Sequence, residues 1–209
     1  MIEHLIYDFD GTIADSYPLF VRFLRKGAKK RGYPIECSDE VLYRAAKITI
    51  YEAYRAIGGE EVIPFQTFLD DFHELQASAR NEFVAFPAAK ELLLRATEAG
   101  KHNYIYTHTG PVVKDMLANM GILDRFDFIL DASYNFPMKP APDALRYFLD
   151  RFGFDPRTCM MIGDRPIDAL AGQNAGMYGC LWDADGLFSS EGIDYYIKDL
   201  SEVSKIAGL

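Results

Sequence analysis

Two aspartates, Asp8 and Asp10, lie where the first apolar run of the chain stops at a glycine. If that run continues as a regular strand, both carboxylates point to the same face. Two like charges so close are costly unless a cation or a shared proton relieves their repulsion. The pair therefore indicates a metal site or an acid/base pair, although an aspartate-rich turn alone produces the same pattern.

A second pair of acids, Asp164 and Asp168, follows another apolar run. Hard cations such as Mg²⁺ prefer carboxylate, carbonyl and water oxygens as ligands. Asp8, Asp164 and the backbone carbonyl of Asp10 are therefore candidate ligands for Mg²⁺. Taken alone, Asp164 has the pattern of a helix cap and Asp168 that of a solvated acid, so this assignment depends on the two pairs meeting.

Two further polar groups stand at the ends of segments between these pairs. Thr107 follows an apolar run, and Lys139 precedes a helical pattern. Four separate strand or loop ends thus present carboxylates, a hydroxyl group and an ammonium group. Such a set can supply a nucleophile, a hydroxyl donor, a neutralising cation and metal ligands.

Short apolar runs alternate with helical patterns over most of the chain. The runs that predict strands are residues 4–9, 103–106, 126–130, 158–162, 179–182 and 195–197. The patterns that predict helices between them are residues 87–99, 111–120, 142–152 and 167–175. Because parallel strands need crossover connections, the alternation predicts an α/β fold with a three-layer, Rossmann-like parallel sheet. Ligands of such sheets bind beyond the carboxyl ends of the strands.

Residues 17–85 interrupt this alternation, because they contain helical patterns and no convincing strand. The patterns are residues 19–31, 39–57 and 65–83. We therefore predict an inserted α-helical cap over residues 16–85 and an α/β core formed by residues 1–15 and 86–209. A chain of 209 residues is long enough for one buried core with a modest second lobe.

The formal net charge of −9, without a Lys/Arg-rich stripe, argues against nucleic acid as a partner. Three cysteines at unrelated spacings match no zinc motif and are typical of reduced thiols. The start of the chain does not resemble a signal peptide, and no apolar run reaches bilayer length. We therefore expect a cytoplasmic protein, a monomer or a homodimer, with no membrane partner.

In order and content, these motifs resemble the haloacid dehalogenase superfamily, in its helical-cap subclass of phosphoglycolate phosphatases and β-phosphoglucomutases. The matching segments are DFDGTIADS at 8–16, Thr107 after its strand, KPAPD at 139–143 and GDRPIDALAGQNAG from residue 163. Each motif alone is only a hypothesis, but together they span most of the chain and are specific. The resemblance implies a Mg²⁺-dependent phosphatase that acts on a small phosphorylated metabolite.

The resemblance also implies catalytic roles. Asp8 attacks phosphorus and forms an aspartyl-phosphate. Asp10 protonates the leaving oxygen and later deprotonates the attacking water. Lys139 and Thr107 complete the catalytic set, because Lys139 neutralises charge and Thr107 binds a phosphoryl oxygen. An acid at position 10 favours phosphoryl transfer over dehalogenation, which does not need it.

The remaining implied contacts concern substrate and metal. The expected substrate-binding residues are Phe9, Gly11, Thr12, Thr107, His108 and Lys139. The expected metal ligands are Asp8, Asp10 and Asp164, with Asp168 as a further acid on the metal side or behind it. The inserted lobe resembles the family's mobile cap, with hinges near residues 14–18 and 83–87.

The chain departs from the family pattern at several positions. His108 and Thr109 stand where such phosphatases commonly carry a small or amide residue and then lysine, and Arg165 replaces a small hydroxyl residue. His108 either touches substrate or is structural, and Arg165 either contacts substrate or the cap or forms a surface ion pair. Three cap residues could contact an anionic substrate tail, although solvated helix charges have the same pattern: Arg44, Lys47 and Arg55.

Two alternative functions share this core. A sugar-phosphate mutase would use the same residues and a cap that protects the intermediate from water. A catalytically silent binding or regulatory protein would keep the fold, but it would not need both Asp8 and Asp10. Hydrolysis of a small phosphomonoester, such as a phosphorylated carboxylic acid or a sugar phosphate, is the leading hypothesis.

Overall fold

The computed structural model describes residues 1–32 and 35–209. The chain divides into two compact units, the first formed by Met1–Ala14 with Ala85–Leu209 and the second by Asp15–Val84. Residues 33 and 34 of the predicted cap lie outside the described residues. The function of the second unit as a cap stays a prediction.

A six-stranded sheet forms the centre of the first unit. Its strands are β1 His4–Tyr7, β2 His102–Tyr106, β3 Phe128–Leu130, β4 Cys159–Gly163, β5 Tyr178–Trp182 and β6 Tyr195–Ile197. The strand order is β3-β2-β1-β4-β5-β6, and every neighbouring pair is parallel. The predicted Rossmann-like α/β fold is confirmed. The strand order reverses beside β1 and β4, which is where sheets of this kind bind ligands.

Nine α-helices occur within the described residues. They are α1 Tyr17–Arg31, α2 Asp39–Ile48, α3 Ile50–Ala56, α4 Phe65–Ser78, α5 Pro87–Glu98, α6 Val113–Asn119, α7 Asp143–Phe152, α8 Pro166–Asn174 and α9 Glu202–Ala207. The short α9 was not predicted, because six residues are too few to show a helical period. No helix of the described chain is both long enough and apolar enough to cross a membrane.

Helices cover both faces of the sheet. On one face Ile6, Tyr104 and Met161 form a buried cluster with side chains of α7 and α8. On the other face Asn103 Nδ2 donates to the carbonyl of Leu93 in α5 over 3.3 Å. Because both faces are covered, all four residues of β1 are buried, and the last three form an apolar run.

Helix α8 approaches the sheet closely enough to exclude side chains at the contact. A Cβ placed on Gly172 of α8 would lie 2.7 Å from Met161 Cβ, and one on Gly179 of β5 would lie 2.4 Å from the carbonyl oxygen of Ala169. Glycine at these positions lets the helix lie directly on β4 and β5. This packing fixes the first turn of α8, which carries Asp168.

The second unit contains α1 to α4. Phe72 of α4 contacts Phe20 and Phe23 of α1, with ring centroids 5.0 and 5.8 Å apart. Between the same two helices, Arg31 Nε at the end of α1 donates to Asp71 Oδ2 of α4 over 2.7 Å. Aromatic packing of this kind contributes to the core of the helical unit, together with buried aliphatic residues such as Leu24 and Leu42.

The predicted helix over residues 39–57 is wrong at its middle. Thr49 is extended, with φ −157° and ψ 158°, and separates α2 from α3. Its Oγ1 accepts a hydrogen bond from the backbone N–H of Glu52 over 2.9 Å. Threonine side chains compete with helix hydrogen bonds in this way, so Thr49 ends one helix and caps the next.

The three cap cations lie in different environments. Arg44 pairs with Glu40 over 2.9 Å and Arg55 pairs with Glu52 over 3.2 Å, and all four side chains are exposed. Lys47 is only 4% exposed, and its Nζ lies 5.9 Å from the centroid of the Tyr17 ring. Arg44 and Arg55 are therefore solvated helix charges, whereas Lys47 is not. Contact of any of them with a substrate stays a prediction.

A buried histidine lies at the amino end of β1. His4 is 7% exposed, its ring stacks on Phe154 at 3.7 Å between centroids, and Nδ1 lies 3.3 Å from the Tyr104 hydroxyl. Burial, and then the charge of His102, lower the pKa of His4 from its ordinary value of 6.5. The unfolded chain therefore takes up this proton at a higher pH than the folded chain does.

We predict that the free energy of unfolding contributed by His4 is fully present above pH 6.5 and is lost as pH falls below it. A proton bound by the unfolded chain and not by the folded chain changes the free energy of unfolding by at most about 1.4 kcal/mol per pH unit. The His4→Phe variant keeps the stacked ring and should show a shallower loss between pH 7 and pH 5. Urea unfolding at each pH measures both slopes. Equal slopes for the two proteins would contradict the prediction.

Candidate active site

Functional side chains gather where the loops leave β1, β2 and β4. Strand β1 ends at Tyr7, so Asp8 and Asp10 lie in the loop beyond it and not within a strand. The prediction that the strand reaches Phe9 is wrong, and the strand period does not set the directions of the two carboxylates. The backbone N–H of Asp8 still donates to the carbonyl of Ile162 over 2.8 Å, which holds this loop against the end of β4.

The ammonium group of Lys139 is the centre of the site. Its Nζ donates to Asp8 Oδ1 over 2.7 Å, to Asp168 Oδ1 over 2.8 Å and to the carbonyl of Tyr106 over 2.9 Å. The side chain of Lys139 is 0% exposed, as is that of Asp168, and that of Asp8 is 3% exposed. A charge with so little access to water depends on these three acceptors.

The surroundings of Lys139 keep it protonated. Burial alone would lower the pKa of Lys139, but the carboxylates of Asp168 and Asp8 outweigh burial and raise that pKa above its ordinary value. Lys139 Nζ also lies 4.5 Å from the centroid of the Tyr106 ring, where the negative face of the ring attracts a cation. Lys139 is therefore a fixed positive charge beside Asp8.

Asp168 is held in place by contacts on both of its oxygens. Oδ1 accepts from Lys139, and Oδ2 accepts from the backbone N–H of Arg165 at the start of α8 over 3.1 Å. Gly163 leaves room for this side chain, because a Cβ there would lie 2.2 Å from Asp168 Cβ. Asp168 therefore orients Lys139 and ties α8 to the site. Its predicted place behind the metal ligands stays a prediction.

Three buried acids form a group that suits a divalent cation. Carboxylate oxygens of Asp8, Asp164 and Asp168 lie within 4.8 Å of one another. Asp8 Oδ2 is buried and accepts no hydrogen bond from the described residues. When ionised, the three acids and Lys139 together carry a formal charge of −2, which one Mg²⁺ would balance. The oxygen-rich set and the vacant acceptor on Asp8 therefore fit magnesium.

Asp10 lies outside this acid group and has a different partner. Its Oδ2 accepts a hydrogen bond from the hydroxyl of Thr109 over 2.6 Å. The carboxylate of Asp8 contacts the ammonium group, whereas that of Asp10 contacts a neutral hydroxyl. Two carboxylates in such different environments are suited to different chemical roles. Coordination of a metal by the carbonyl of Asp10 stays a prediction.

The other predicted substrate-binding residues lie in the same loops. Thr107 is buried directly beyond β2, and its Oγ1 accepts from the N–H of Thr109 over 3.0 Å. Phe9 is buried, and the hydroxyl of Thr12 is buried with no hydrogen-bond partner among the described residues. The N–H of Gly11 donates to Ala14, and its φ of +76° forms a turn that favours glycine. Contact of these residues with substrate stays a prediction.

His108 links two loops of the site. Its Nε2 accepts a hydrogen bond from the backbone N–H of Lys139 over 3.1 Å. Burial, with the positive charges of Lys139 and Arg165, lowers the pKa of His108 to about 3. The ring is therefore neutral, with its proton on Nδ1, and it positions the loop that carries Lys139. Contact of His108 with substrate stays a prediction.

Two parts of the site were not predicted from the sequence. Tyr106 supplies both a carbonyl oxygen and an aromatic face to Lys139, and Thr109 supplies a hydroxyl to Asp10. The backbone carbonyl of Tyr106 has no side-chain signature. Thr109 had a signal, because it stands two residues after Thr107 at the same strand end.

We predict that Gly163→Ala displaces Asp168 and loosens its hold on Lys139. The added methyl group overlaps Asp168 Cβ and Cγ at 2.2 and 2.4 Å, so the free energy of unfolding should fall by about 1–3 kcal/mol. Turnover should fall about tenfold or more, because catalysis is sensitive to displacements of this size. Urea unfolding and steady-state kinetics measure the two effects.

The control is Gly27→Ala in α1, where a Cβ meets nothing within 4 Å. A helical glycine without neighbours should tolerate alanine and gain about 0.4–1 kcal/mol of stability. If Gly163→Ala keeps full turnover and stability, the close contact with Asp168 does not position Lys139.

Known proteins resemble this chain over nearly its whole length. A phosphoglycolate phosphatase from Vibrio vulnificus is 30% identical over 193 residues, which cover 84% of this chain and 81% of that protein. A putative pyrophosphatase, PpaX, from Caldanaerobacter subterraneus is 24% identical over 217 residues, which cover 98% of this chain and 94% of that protein. The crystal structure of a predicted phosphoglycolate phosphatase from Haemophilus somnus shares the fold, with a TM-score of 0.85 at 20% identity over 98% of this chain and 97% of that one.

The family match covers the strand ends that carry the site. The profile of the haloacid dehalogenase-like hydrolases matches residues 5–181, from within β1 to within β5. Asp8, Thr107, Lys139 and Asp164 all fall within the matched residues. The chain therefore belongs to the haloacid dehalogenase-like hydrolase family.

Proposed function

We propose that this haloacid dehalogenase-like phosphatase hydrolyses small phosphomonoesters with Asp8 as the nucleophile and Mg²⁺ as the cofactor. The observation that carries the proposal is the contact of 2.7 Å between Asp8 Oδ1 and the buried ammonium group of Lys139. A carboxylate oxygen has an electron pair available for attack on phosphorus. The positive charge of Lys139 reduces its repulsion of a phosphate ester.

In the first step, an oxygen of the Asp8 carboxylate attacks phosphorus while the bond from phosphorus to the ester oxygen breaks. Asp10, in its acid form, gives its proton to that oxygen, so the product leaves as a neutral alcohol and the phosphoryl group stays on Asp8. Such general acid catalysis contributes roughly 10²–10⁴-fold. Asp8 contacts Lys139, whereas Asp10 accepts a hydrogen bond from Thr109, a contact that suits either protonation state of Asp10.

In the second step, water attacks the same phosphorus atom and the bond from phosphorus to the Asp8 oxygen breaks. Asp10, now a carboxylate, takes a proton from the attacking water. Inorganic phosphate leaves, and Asp8 returns as a carboxylate with Asp10 again in its acid form. One residue thus serves as acid and then as base. The phosphoryl group held on Asp8 between the two steps splits one difficult displacement into two easier ones.

The charge of the site supports a requirement for magnesium. We propose that Asp8, Asp164 and the backbone carbonyl of Asp10 hold Mg²⁺, with Asp168 behind them. When bound, Mg²⁺ supplies positive charge that offsets the negative charge of the phosphoryl group and the carboxylates. Lys139 supplies positive charge at Asp8 Oδ1, and Thr107 and Thr12 would offer hydroxyl groups to phosphoryl oxygens.

The names of the relatives suggest a substrate class for the proposed activity. The Vibrio vulnificus relative is a phosphoglycolate phosphatase and the Caldanaerobacter subterraneus relative is a putative pyrophosphatase. We propose a small phosphorylated carboxylic acid or a sugar phosphate as the substrate of this chain. Both substrate types are monoesters that expose the phosphoryl group.

We predict that Asp8→Asn lowers turnover to less than a few per cent of the original with no loss of folding. An amide cannot replace the carboxylate as nucleophile, although it fills the same volume. The measurement is release of inorganic phosphate from a panel of phosphate esters and pyrophosphate, with and without Mg²⁺. Asp150→Asn, an exposed acid on α7, is the matched control and should behave as the original protein.

Turnover by Asp8→Asn at more than a few per cent would exclude Asp8 as the nucleophile, and equal turnover without Mg²⁺ would exclude the metal. Product analysis with a sugar bisphosphate as primer separates hydrolysis from the mutase alternative. Formation of an isomerised sugar phosphate without net release of phosphate would show that the protein is a mutase and not a hydrolase.

A further inference from the structure

The hydroxyl of Thr109 contacts the proposed acid/base residue. Thr109 is 7% exposed, and its Oγ1 donates to Asp10 Oδ2 over 2.6 Å. The distance is short for a hydrogen bond between two oxygens, as expected when the acceptor is a carboxylate. We infer that Thr109 is a positioning residue that fixes the Asp10 carboxyl group for proton transfer. The inference rests on the proposed function of Asp10.

Thr109 is itself held by two backbone contacts. Its N–H donates to Thr107 Oγ1 over 3.0 Å, and its carbonyl accepts from the N–H of Ala132 over 3.1 Å. These partners lie beyond β2 and β3, whereas Asp10 lies beyond β1. The Thr109 hydroxyl therefore connects the Asp10 loop to two neighbouring strand ends that are fixed by the sheet.

The contact matters because Asp10 lies in a loop, beyond the regular strand. It lies three residues past the end of β1, between Asp8 and the turn at Gly11. Rotation about the bond between an aspartate Cβ and its carboxyl group is only weakly restricted. Proton transfer to the leaving oxygen needs a defined direction and hydrogen-bond distance. Holding Oδ2 fixes the plane of the carboxyl group.

A hydroxyl group suits this position better than an ammonium group. Asp10 alternates between an acid and a carboxylate during the proposed cycle. A threonine hydroxyl can donate to the carboxylate and accept from the acid, so the same contact persists in both states. An ammonium group could only donate, and it would stabilise the carboxylate against the acid form.

The test exploits the need for a proton on the leaving oxygen. The value of kcat/KM reports the steps up to transfer of the phosphoryl group to Asp8. An aliphatic phosphate ester needs a proton on its leaving oxygen in that transfer, whereas 4-nitrophenyl phosphate releases a stable anion and does not. The substrates are 4-nitrophenyl phosphate and the aliphatic ester that the intact protein hydrolyses fastest.

For Thr109→Val, kcat/KM should fall about 10- to 100-fold with the aliphatic ester, a part of the full contribution of an acid catalyst. With 4-nitrophenyl phosphate it should fall less than about threefold, because the acid is not needed in that transfer. Thr109→Ser keeps the hydroxyl and should restore most of the loss. Thr97→Val, the same change on α5, is the matched control and should leave both values unchanged.

Asp10→Asn separates failure of this inference from failure of the proposed function. If Asp10→Asn slows the aliphatic ester selectively and Thr109→Val does not, Thr109 does not position the acid. If Asp10→Asn slows both esters equally, Asp10 is not the acid and the proposed function fails with the inference. An equal loss with both esters in Thr109→Val would indicate general structural damage and overturn the inference. If Thr109→Val does not fold, Thr109→Ala carries the same comparison.

Discussion

Removing an ammonium group from water costs several kcal/mol, and in this protein the side chain of Lys139 is wholly buried. The cost is offset by two carboxylates and a carbonyl within 2.9 Å of Nζ. These acceptors come from the loop after β1, the last residue of β2 and the first turn of α8. Lys139 therefore joins three elements that are far apart in the sequence, and the geometry of the site depends on this contact.

Two constraints follow from burying these charges together. When ionised, the three acids carry more negative charge than Lys139 balances, which suits a divalent cation beside Asp8, Asp164 and Asp168. The chain around them also has to be tightly packed, because a displaced carboxylate leaves a buried charge without its partner. Small residues where α8 meets the sheet, and the neutral His108 behind the Lys139 loop, meet this second constraint.

Much of this arrangement can be predicted from the sequence, because parallel strands bring their carboxyl ends to one edge. That rule alone places Asp8, Thr107 and Asp164 near one another. Other features depend on contacts that have no local pattern. The end of β1 at Tyr7 is one, since an apolar Phe9 continues the run without continuing the strand. The hydrogen bond from the Lys139 backbone to His108 is another, because it joins residues 31 positions apart.

The central claim is that Asp8, the neighbouring acids and Lys139 form one site for a divalent cation and a phosphoryl group. Beryllium fluoride, which mimics a phosphoryl group on a carboxylate, tests this claim through the thermal unfolding temperature. We expect a rise with Mg²⁺ and beryllium fluoride together that exceeds the rise with either alone, since ligands of the folded state stabilise it. The rise should disappear in Asp8→Asn. An equal rise in Asp8→Asn, or with beryllium fluoride in the absence of Mg²⁺, would contradict the claim.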